Sequence, residues 1–483
     1  MVMTLYTIVP VLAVMGVSVY VLVLLIRALR KYLRTAPVRA EKAETAKTLG
    51  AVLKQHRTAC KMTQEFVAES IGVSRQAVSK WESGASDPST SNLLALAKLF
   101  GIDAKELLDE TKRYADADYR TIAGYAASQG FEGTLMPWDW AYYSEKYKRE
   151  KYALDAETVK PYFELERVKK GVFLLAEKLY GLHFTPNPAV AVYHPDVTAY
   201  DVTDAEGRFM AVLYLDFFPR ESKRSGAWMT EFRGTKCVDG KETRPLVSLV
   251  MNFTKPTEKS PSLLTFDEVE TFLHEFGHSL HGMLGEGSYE SLTGTNVSRD
   301  FVELPSQIME NWATQKEFLD LWAGHYETGE KIPAQIVERI VAAQNYLAAY
   351  ANVRQLSFGL TDMAWHTLTE PFEGDVEAFE REAMAPAQVL PAVEGTAMSP
   401  AFGHIFAGGY ASGYYGYKWA EVLEADAFSL FEEKGIFSPE VAASFRDNIL
   451  SKGGTEDPME LYVRFRGHKP ETKALIEKMQ LGK

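Results

Sequence analysis

Apolar and polar positions alternate differently in three stretches of the chain. Residues 1–26 contain no charged side chain, and about twenty apolar residues suffice for a helix to cross the hydrocarbon core of a bilayer. Residues 48–110 hold short amphipathic segments, whereas residues 114–483 hold longer ones interrupted by strand-like runs. We therefore predict a transmembrane helix at 1–27, a small all-α domain at 48–110 and a large, mainly α domain at 114–483.

A cluster of basic side chains follows the apolar run directly. Its members are Arg27, Arg30, Lys31, Arg34 and Arg39. Because positive residues flank a span on its cytoplasmic side, we predict a single-pass anchor in the inner or cytoplasmic membrane, a basic juxtamembrane linker at 28–47 and two cytoplasmic domains. A cleavable signal peptide is the alternative interpretation, but the positive n-region is missing and the apolar run is too long. The membrane is thus a predicted partner through residues 1–27.

The periodicity of the large domain indicates long helices around one small sheet. Strand-like runs rich in aromatic and β-branched residues occupy 188–194, 200–202, 209–217 and 246–253. Helical periodicity covers 265–283, 333–350 and 414–433, and the polar stretch 114–120 is predicted to be a linker or the start of a helix. An edge strand can pair with a peptide backbone, and the strand around 247–252 is the predicted candidate for that role.

One segment of the helix predicted at 265–283 carries the spacing of a metal site. His274 and His278 are four residues apart, so both imidazoles project from the same helix face and can share one ion. Glu275 then lies beside the open position of that ion, where a carboxylate can take the proton of a water that attacks a carbonyl. The alternative interpretation of the spacing alone is a helix with two surface histidines.

A zinc site of this kind needs a third protein ligand, and Glu303 is the candidate. A helix predicted to begin at Asp300 places three apolar side chains on its buried face: Phe301, Leu304 and Ile308. Glu303 lies among these neighbours, where an unpaired carboxylate is costly and a metal ion would offset the cost. The alternative is that Glu303 pairs with Arg299 or is solvated. Asp300 is the candidate second-shell acceptor for a ligand imidazole.

At these residues the chain resembles the thimet oligopeptidase family of zinc peptidases, which includes oligopeptidase A and the bacterial dipeptidyl carboxypeptidases. The resemblance rests on HEFGHSLHG, GTNVSRDFVELPSQIMENW and FGHIFAGGYASGYYGYKWAEVLEADAF, in the order and spacing of the family, and it extends over about residues 114–483. It implies a zincin-like helical fold and short peptides as substrates. It also implies one Zn²⁺ per chain bound by His274, His278 and Glu303, with Glu275 as general base.

The third of these motifs crowds glycines and tyrosines around one histidine. Glycines let a backbone approach a ligand closely, and tyrosine hydroxyls or an imidazole can donate hydrogen bonds to an oxyanion on a scissile carbonyl. The resemblance implies roles in transition-state stabilisation and substrate binding for His404, Tyr410, Tyr414 and Tyr417. The alternative is aromatic packing in the core, and Tyr415 is the tyrosine expected to pack inward.

The remaining histidines lack the spacing of metal ligands, and His281 on the motif helix is expected to make a local hydrogen bond. Two cysteines in 483 residues fit a reducing compartment rather than a disulfide framework. The net charge of −13 is unevenly distributed, because residues 1–113 carry an excess of basic side chains and the remainder an excess of acidic ones. The basic N-terminal part is suited to binding phosphate groups or an anionic membrane surface, whereas the acidic large domain would be repelled by nucleic acid.

The small domain at 48–110 has the pattern of two helices joined by a tight turn at Gly72. Thr63 and Ser74 are predicted N-caps of the two helices, and a further helix is predicted at 92–101. The stretch MTQEFVAESIGVSRQAVSKWESG resembles the lambda-repressor-like helix-turn-helix family, whose second helix enters the DNA major groove. This implies DNA binding through residues 63–82, with contacts from Gln64, Ser74, Arg75, Gln76, Ser79 and Lys80. The alternative is a helical adaptor that binds only proteins.

The resemblance to the peptidase family leaves out its long N-terminal helical half, which forms one wall of the substrate channel. We therefore expect a catalytic domain truncated at its N-terminus, with an intact metal site and a second wall only where another protomer or protein supplies it. Two functions are open at this point. The first is a zinc metallopeptidase that hydrolyses short peptides. The second is a membrane-anchored helix-turn-helix transcriptional regulator whose peptidase-like domain is inactive or senses peptides.

Overall fold

The computed structural model describes residues 53–54, 57, 62–71, 74–82, 104–344, 346–471 and 473–478. The chain forms two compact units, of which the first includes Ser74–Ser89 and the second includes Thr90–Leu481. No helix within the described ranges is both long and apolar enough to cross a bilayer. The predicted span at 1–27, the linker at 28–47 and the helix at 92–101 lie outside the described residues.

The first unit contains the two helices of the predicted helix-turn-helix. They are α1 (Gln64–Ile71) and α2 (Arg75–Glu82). The Ser74 hydroxyl accepts a hydrogen bond from the Ala77 backbone N–H at 3.1 Å, which satisfies a donor of the first turn of α2. Apolar side chains on the inner faces are buried: Val67, Val78 and Trp81.

The second unit is mainly helical with a small sheet, as predicted. Its helices are α3 (Ala104–Ser128), α4 (Pro137–Tyr152), α5 (Ala156–Val159), α6 (Leu165–Tyr180), α7 (Phe266–Leu284), α8 (Leu304–Glu310), α9 (Lys316–Trp322), α10 (Ala334–Ala343), α11 (Ala348–His366), α12 (Val376–Met384), α13 (Gly403–Phe406), α14 (Gly416–Lys434), α15 (Pro439–Phe445), α16 (Pro458–Arg466) and α17 (Lys473–Lys478). Its strands are β1 (His183–Pro186), β2 (Thr198–Thr203), β3 (Phe209–Asp216), β4 (Trp228–Arg233), β5 (Lys236–Val238), β6 (Lys241–Thr243) and β7 (Leu246–Val250).

The main sheet has the strand order β1-β2-β3-β7-β4, and β5 and β6 form a separate hairpin. Neighbouring strands are antiparallel except for the parallel pair β3 and β7. The edge strand beside β7 is therefore β4, which the sequence pattern did not identify. The prediction that the strand around 247–252 forms an edge is wrong, because β7 is paired on both sides. The predicted strand at 188–194 is also wrong, since that segment forms turns.

Aromatic packing fixes helix α7, which carries the histidine pair, onto one face of the sheet. Phe272 and Phe276 of this helix are fully buried, and the Phe272 ring lies 5.1 Å from that of Phe217. Residues two positions further along a helix point to the opposite side, so His274 and His278 face away from the sheet. The helix starts at a capping box in which Thr265 and Glu268 satisfy each other's backbone N–H groups.

A glycine allows α7 and α8 to approach each other closely. A Cβ atom built on Gly277 would lie 2.2 Å from the Pro305 carbonyl oxygen and 2.6 Å from the Ser306 Cα. Only glycine fits this contact between two backbones without a displacement. Since Glu303 immediately precedes α8, this approach brings Glu303 beside the histidine pair of α7.

A second apolar cluster joins α3, α4 and α11. The Trp140 ring lies 4.4 Å from that of Tyr350 and 6.2 Å from that of Tyr119, and Ile122 is fully buried beneath them. Residues 114–120 belong to the continuous helix α3. The single helix predicted at 333–350 is instead two helices, because Leu347 adopts a left-handed backbone with φ of 54°.

Candidate metal centre and active site

Two imidazoles and one carboxylate converge beside helix α7. The Nε2 atoms of His274 and His278 lie 3.3 and 3.2 Å from the same oxygen, Oε2 of Glu303. The ligand atoms of the three residues all lie within 4.8 Å of one another. Two imidazole nitrogens and one carboxylate oxygen are a donor set that suits Zn²⁺ and leaves a coordination position open. The three residues therefore fit a zinc ion.

Glu303 is held at the start of α8 rather than inside a helix. The prediction of a helix from Asp300 is corrected, since α8 begins at Leu304 with Glu303 as its N-cap and Pro305 in its first turn. Glu303 is 1% exposed. Burial by itself would raise the pKa of this carboxyl, but the charge of His278 and hydrogen bonds from both histidines lower it well below its usual range. A lowered pKa favours the ionised carboxylate, which is the form that binds a cation.

Glu310 orients the first histidine, a role that had been predicted for Asp300. The Glu310 carboxylate lies 2.6 Å from His274 Nδ1, which fixes the ring so that Nε2 faces Glu303. Asp300 contacts neither ligand imidazole and instead accepts a hydrogen bond from the Tyr415 hydroxyl at 3.0 Å. Glu310 lies two helical turns after Glu303, and this spacing on one helix face was the signal that could have identified it.

Glu275 lies next to the ligand group and has an oxygen available for a proton. Its side chain is 7% exposed, and its Oε2 has no hydrogen-bond partner among the described residues. The Met229 N–H of edge strand β4 lies near this carboxylate. Burial raises the pKa of Glu275, while the charges of His274 and His278 oppose the increase. Met229 was not recognised from the sequence, because strand β4 was not predicted.

Tyr410 of the glycine-rich segment contacts a candidate metal ligand, and Tyr417 packs against Tyr410. The Tyr410 hydroxyl donates a hydrogen bond to Oε1 of Glu303, and the Tyr410 and Tyr417 rings stack with centroids 5.0 Å apart. Burial, followed by the negative charge of Glu303, raises the pKa of both phenols. Both hydroxyls therefore keep their protons and can donate hydrogen bonds. The His404 ring lies 6.0 Å from Tyr410 and 6.3 Å from Tyr417.

Three nearby aromatic residues behave differently from the expectations. Tyr414 is buried and donates its hydroxyl to Gln355 at 3.0 Å rather than to a metal ligand, and burial raises its pKa to about 12. Tyr415 does not pack inward, since it is 56% exposed. His281 is fully buried, and neither ring nitrogen has a partner among the described residues, so the predicted local hydrogen bond is absent there.

Helix α2 of the first unit exposes the polar residues for which DNA contacts were predicted. They are Arg75, Gln76, Ser79 and Lys80, preceded by the exposed Ser74. Arg75 forms an ion pair with Glu65 at 2.6 Å, and both side chains are more than half exposed. The Gln64 amide donates to Glu82 Oε2 at 2.8 Å, so Gln64 is tied to the body of the unit.

Comparison with protein families gives one match for each unit. Residues 103–481 match the model of peptidase family M3. Residues 53–107 match a helix-turn-helix family model. The second match covers both helices α1 and α2.

Curated relatives align with the second unit at high identity. Oligopeptidase A of Escherichia coli (strain K12) is 42% identical over 375 residues, which cover 77% of this chain and 55% of the relative. Dipeptidyl carboxypeptidase of Salmonella typhimurium is 43% identical over 347 residues, covering 71% of this chain and 51% of the relative. The chain thus spans about half the length of these relatives. Among solved structures, the M32 carboxypeptidase from Deinococcus radiodurans R1 aligns with a TM-score of 0.39 at 16% identity over 92% of this chain and 80% of that one, a likeness too low to carry an argument.

Proposed function

We propose that this chain, which belongs to peptidase family M3, is a zinc-dependent peptidase that hydrolyses short peptides. One observation carries the proposal: a single carboxylate oxygen of Glu303 lies within 3.3 Å of both imidazole Nε2 atoms. Beside this group, Glu275 presents an oxygen without a hydrogen-bond partner among the described residues. The names of the curated relatives, oligopeptidase A and dipeptidyl carboxypeptidase, support short peptides as the substrate class.

His274, His278 and Glu303 would hold one Zn²⁺ per chain. Bound there, the ion supplies Lewis acidity, which makes water easier to deprotonate and polarises the carbonyl of a peptide bond. Glu310 keeps the His274 ring in the orientation that directs Nε2 toward Glu303. Ligand type alone also admits cobalt or manganese.

Glu275 would act as the general base and then as the general acid. Its free oxygen takes a proton from the attacking water and returns it to the amine that leaves when the C–N bond breaks. A buried carboxyl with a raised pKa suits both steps, because the proton is bound firmly enough to be carried and loosely enough to be returned.

Tyr410 and Tyr417 would stabilise the oxyanion, with His404 next to them. Their hydroxyls keep their protons because burial raises both pKa values. The Tyr410 hydroxyl already reaches the ligand Glu303, so a short side-chain rotation moves it from that oxygen to an oxyanion beside the same group. The hydrogen bond from such a donor strengthens in the transition state, when negative charge develops on the carbonyl oxygen. We assign Tyr414 to substrate binding at most, because its hydroxyl is bonded to Gln355.

Strand β4 would hold the peptide main chain. It is an edge strand, and its Met229 N–H lies at the Glu275 carboxylate. An extended peptide that adds to this edge brings its backbone carbonyls past the general base. The role first predicted for the strand around 247–252 thus passes to its neighbour.

The test is metal content together with peptide hydrolysis by the purified full chain. We expect one zinc per chain and cleavage of a quenched fluorescent peptide library, with loss of cleavage but retention of zinc in Glu275→Gln. Asp267→Asn, which changes an exposed carboxyl in the first turn of the same helix, is the matched control and should keep activity. Turnover in Glu275→Gln would contradict the general-base assignment, and zinc binding without turnover in the unmodified chain would contradict hydrolysis.

We propose sequence-specific DNA binding as the second function, carried by the first unit. The observation that favours it is the row of exposed polar side chains along α2. Gln can pair with adenine and Arg with guanine in the major groove, and the exposed Arg75–Glu65 ion pair can be exchanged for a contact to DNA. A regulator whose peptidase unit senses peptides would use both units.

Selection from a random DNA duplex library with the full chain tests this second function. Replacing both Arg75 and Gln76 by Ala should abolish the enriched sequence preference. Lys112→Ala, which removes a basic residue of the second unit, should leave it unchanged. An unaltered preference in the double variant would refute base contacts from α2 and favour the protein-adaptor alternative.

A further inference from the structure

Helix α11 packs against the segment that contains the tyrosines of the candidate active site. Gln355 accepts the Tyr414 hydroxyl at 3.0 Å, and the Phe358 ring meets that of Tyr414 edge-on at 5.7 Å. Asp362 is placed two turns after Gln355, so it projects from the same face of the helix. Both contacts are made to Tyr414, which lies between Tyr410 and Tyr417 in the chain.

Asp362 makes the polar contacts between helix α11 and the backbone of this segment. Its carboxylate is 1% exposed and accepts two backbone hydrogen bonds of 2.9 Å, from the Ser412 N–H to Oδ1 and from the Tyr414 N–H to Oδ2. His366 Nδ1 lies 2.8 Å from Oδ1. Each carboxylate oxygen thus fixes one amide of the segment, and the pair of bonds sets both the position and the orientation of that backbone.

The backbone fixed by Asp362 is one that needs support. Ser412 has a φ of 56°, in the left-handed region that non-glycine residues rarely adopt. The adjacent turn is closed by a bond of 2.8 Å from the Gly413 N–H to the Tyr410 carbonyl. An unfavourable backbone conformation persists where its surroundings determine it, and the Asp362 carboxylate bonds directly to the strained residue.

We propose that Asp362 is a positioning residue for the reaction: it holds the turn at 410–414 in the one conformation that puts the Tyr410 and Tyr417 hydroxyls beside Glu303. His366 supports it by fixing the carboxylate from the other side. Asp362 does not touch the metal ligands, and it acts only through the tyrosines. The inference rests on the proposed peptidase function for its kinetic consequence, whereas the hydrogen bonds of Asp362 to the segment are a property of the fold.

Asp362→Asn is the direct test, because an amide has one acceptor oxygen and turns its NH₂ toward one of the two backbone donors. We expect hydrogen exchange of the Ser412 and Tyr414 amides to accelerate at least tenfold. We expect kcat to fall by about 10²-fold, the loss typical of a misplaced catalytic group. KM should change less than threefold and the zinc content should not change, since neither ligands nor base are touched.

Asp204→Asn is the matched control. Asp204 is also buried and also accepts two backbone N–H groups and a cationic side chain, those of Glu206 and Arg208. It closes the turn between β2 and β3, so its replacement tests the general cost of losing a carboxylate that caps a turn. We expect this variant to keep kcat. If Asp362→Asn does not fold, His366→Gln, which removes one of the three contacts, should show the same changes to a smaller extent.

A double-mutant cycle with Tyr410→Phe separates positioning from a general structural effect. If Asp362 acts through the tyrosines, its replacement should cost far less in the Tyr410→Phe background than in the unmodified chain. Equal losses of kcat in both backgrounds would overturn the proposal, as would unchanged exchange of the two amides in Asp362→Asn. The hydrogen-exchange measurement requires no turnover. It therefore tests whether Asp362 holds the backbone at Ser412 and Tyr414 even if the proposed peptidase function is wrong.

Discussion

The contact between α7 and α8 at Gly277 gives the sharpest prediction about the metal centre. In Gly277→Ala the new methyl group would lie 2.2 Å from the Pro305 carbonyl oxygen, whereas ordinary contacts begin near 3.4 Å. Both partners are backbone atoms, so the two helices must separate by roughly 1 Å. Metal–ligand distances tolerate only about 0.2 Å, and Glu303 immediately precedes the displaced helix. Overpacking of this kind costs about 1–3 kcal/mol, which corresponds to a loss of zinc affinity of about 5- to 150-fold.

Competition with a zinc chelator measures the loss of zinc affinity, and urea unfolding of the metal-free protein measures the loss of folding stability. Gly124→Ala is the control, because a Cβ at that position in helix α3 meets no atom within 4 Å. It should leave zinc affinity unchanged and leave stability unchanged or raised by up to about 1 kcal/mol. Gly277→Ala with unmodified zinc affinity and unmodified stability would refute the argument that this close approach builds the site.

Three further predictions follow from other contacts. Glu310→Gln should lower zinc affinity about 10- to 100-fold in a chelator titration while the fold is retained, because the partner of His274 Nδ1 is weakened; unchanged affinity would show that the ring needs no orientation. Tyr417→Phe should lower kcat by about 10²-fold with little change in KM, and a change confined to KM would move this residue to substrate binding. Asp216→Asn should cost about 3 kcal/mol in denaturant unfolding, since Lys223 would stay buried without its partner. Burial acts to raise the pKa of Asp216, but hydrogen bonds from Arg220 and Lys223 lower it below its ordinary value. The stability that the Asp216 carboxylate contributes is therefore present above the ordinary carboxyl pKa and is lost as the pH falls through the lowered pKa. Asp216→Asn should lack this acid-dependent loss of stability.

Local sequence signals identified the elements whose structure depends on short-range contacts. The apolar periodicity of the motif helix predicted 265–283, and the helix runs Phe266–Leu284. The mainly helical character of the large domain with its small sheet is likewise confirmed. Helix α8 was predicted to begin at Asp300 but begins four residues later, at Leu304, and Glu310 was not connected with His274. The break at Leu347 has no local signal in the form of a proline or glycine.

The parts that could not be predicted depend on pairing between distant segments. The choice of β4 as the edge strand follows from the parallel pairing of β3 with β7, which leaves β4 with one neighbour. No pattern within 228–233 carries that information, since pairing is decided by the whole sheet. The segment 188–194 has the composition of a strand but finds no partner, and it forms turns instead. Met229 could be connected with Glu275 only after the position of β4 was known.

The charge balance of the site argues for a divalent cation independently of sequence similarity. Three carboxylates, those of Glu275, Glu303 and Glu310, surround the imidazoles of His274 and His278 in a largely buried region. Neutral imidazoles offset none of this negative charge, and buried charges without partners are costly. Burial lowers the pKa of His274, but the hydrogen bonds that its ring donates to Glu303 and Glu310 raise the pKa well above its usual value, so the carboxylates favour a positive charge at this point. A divalent ion held by His274, His278 and Glu303 would supply that charge while both imidazoles stay neutral, as metal ligands must be.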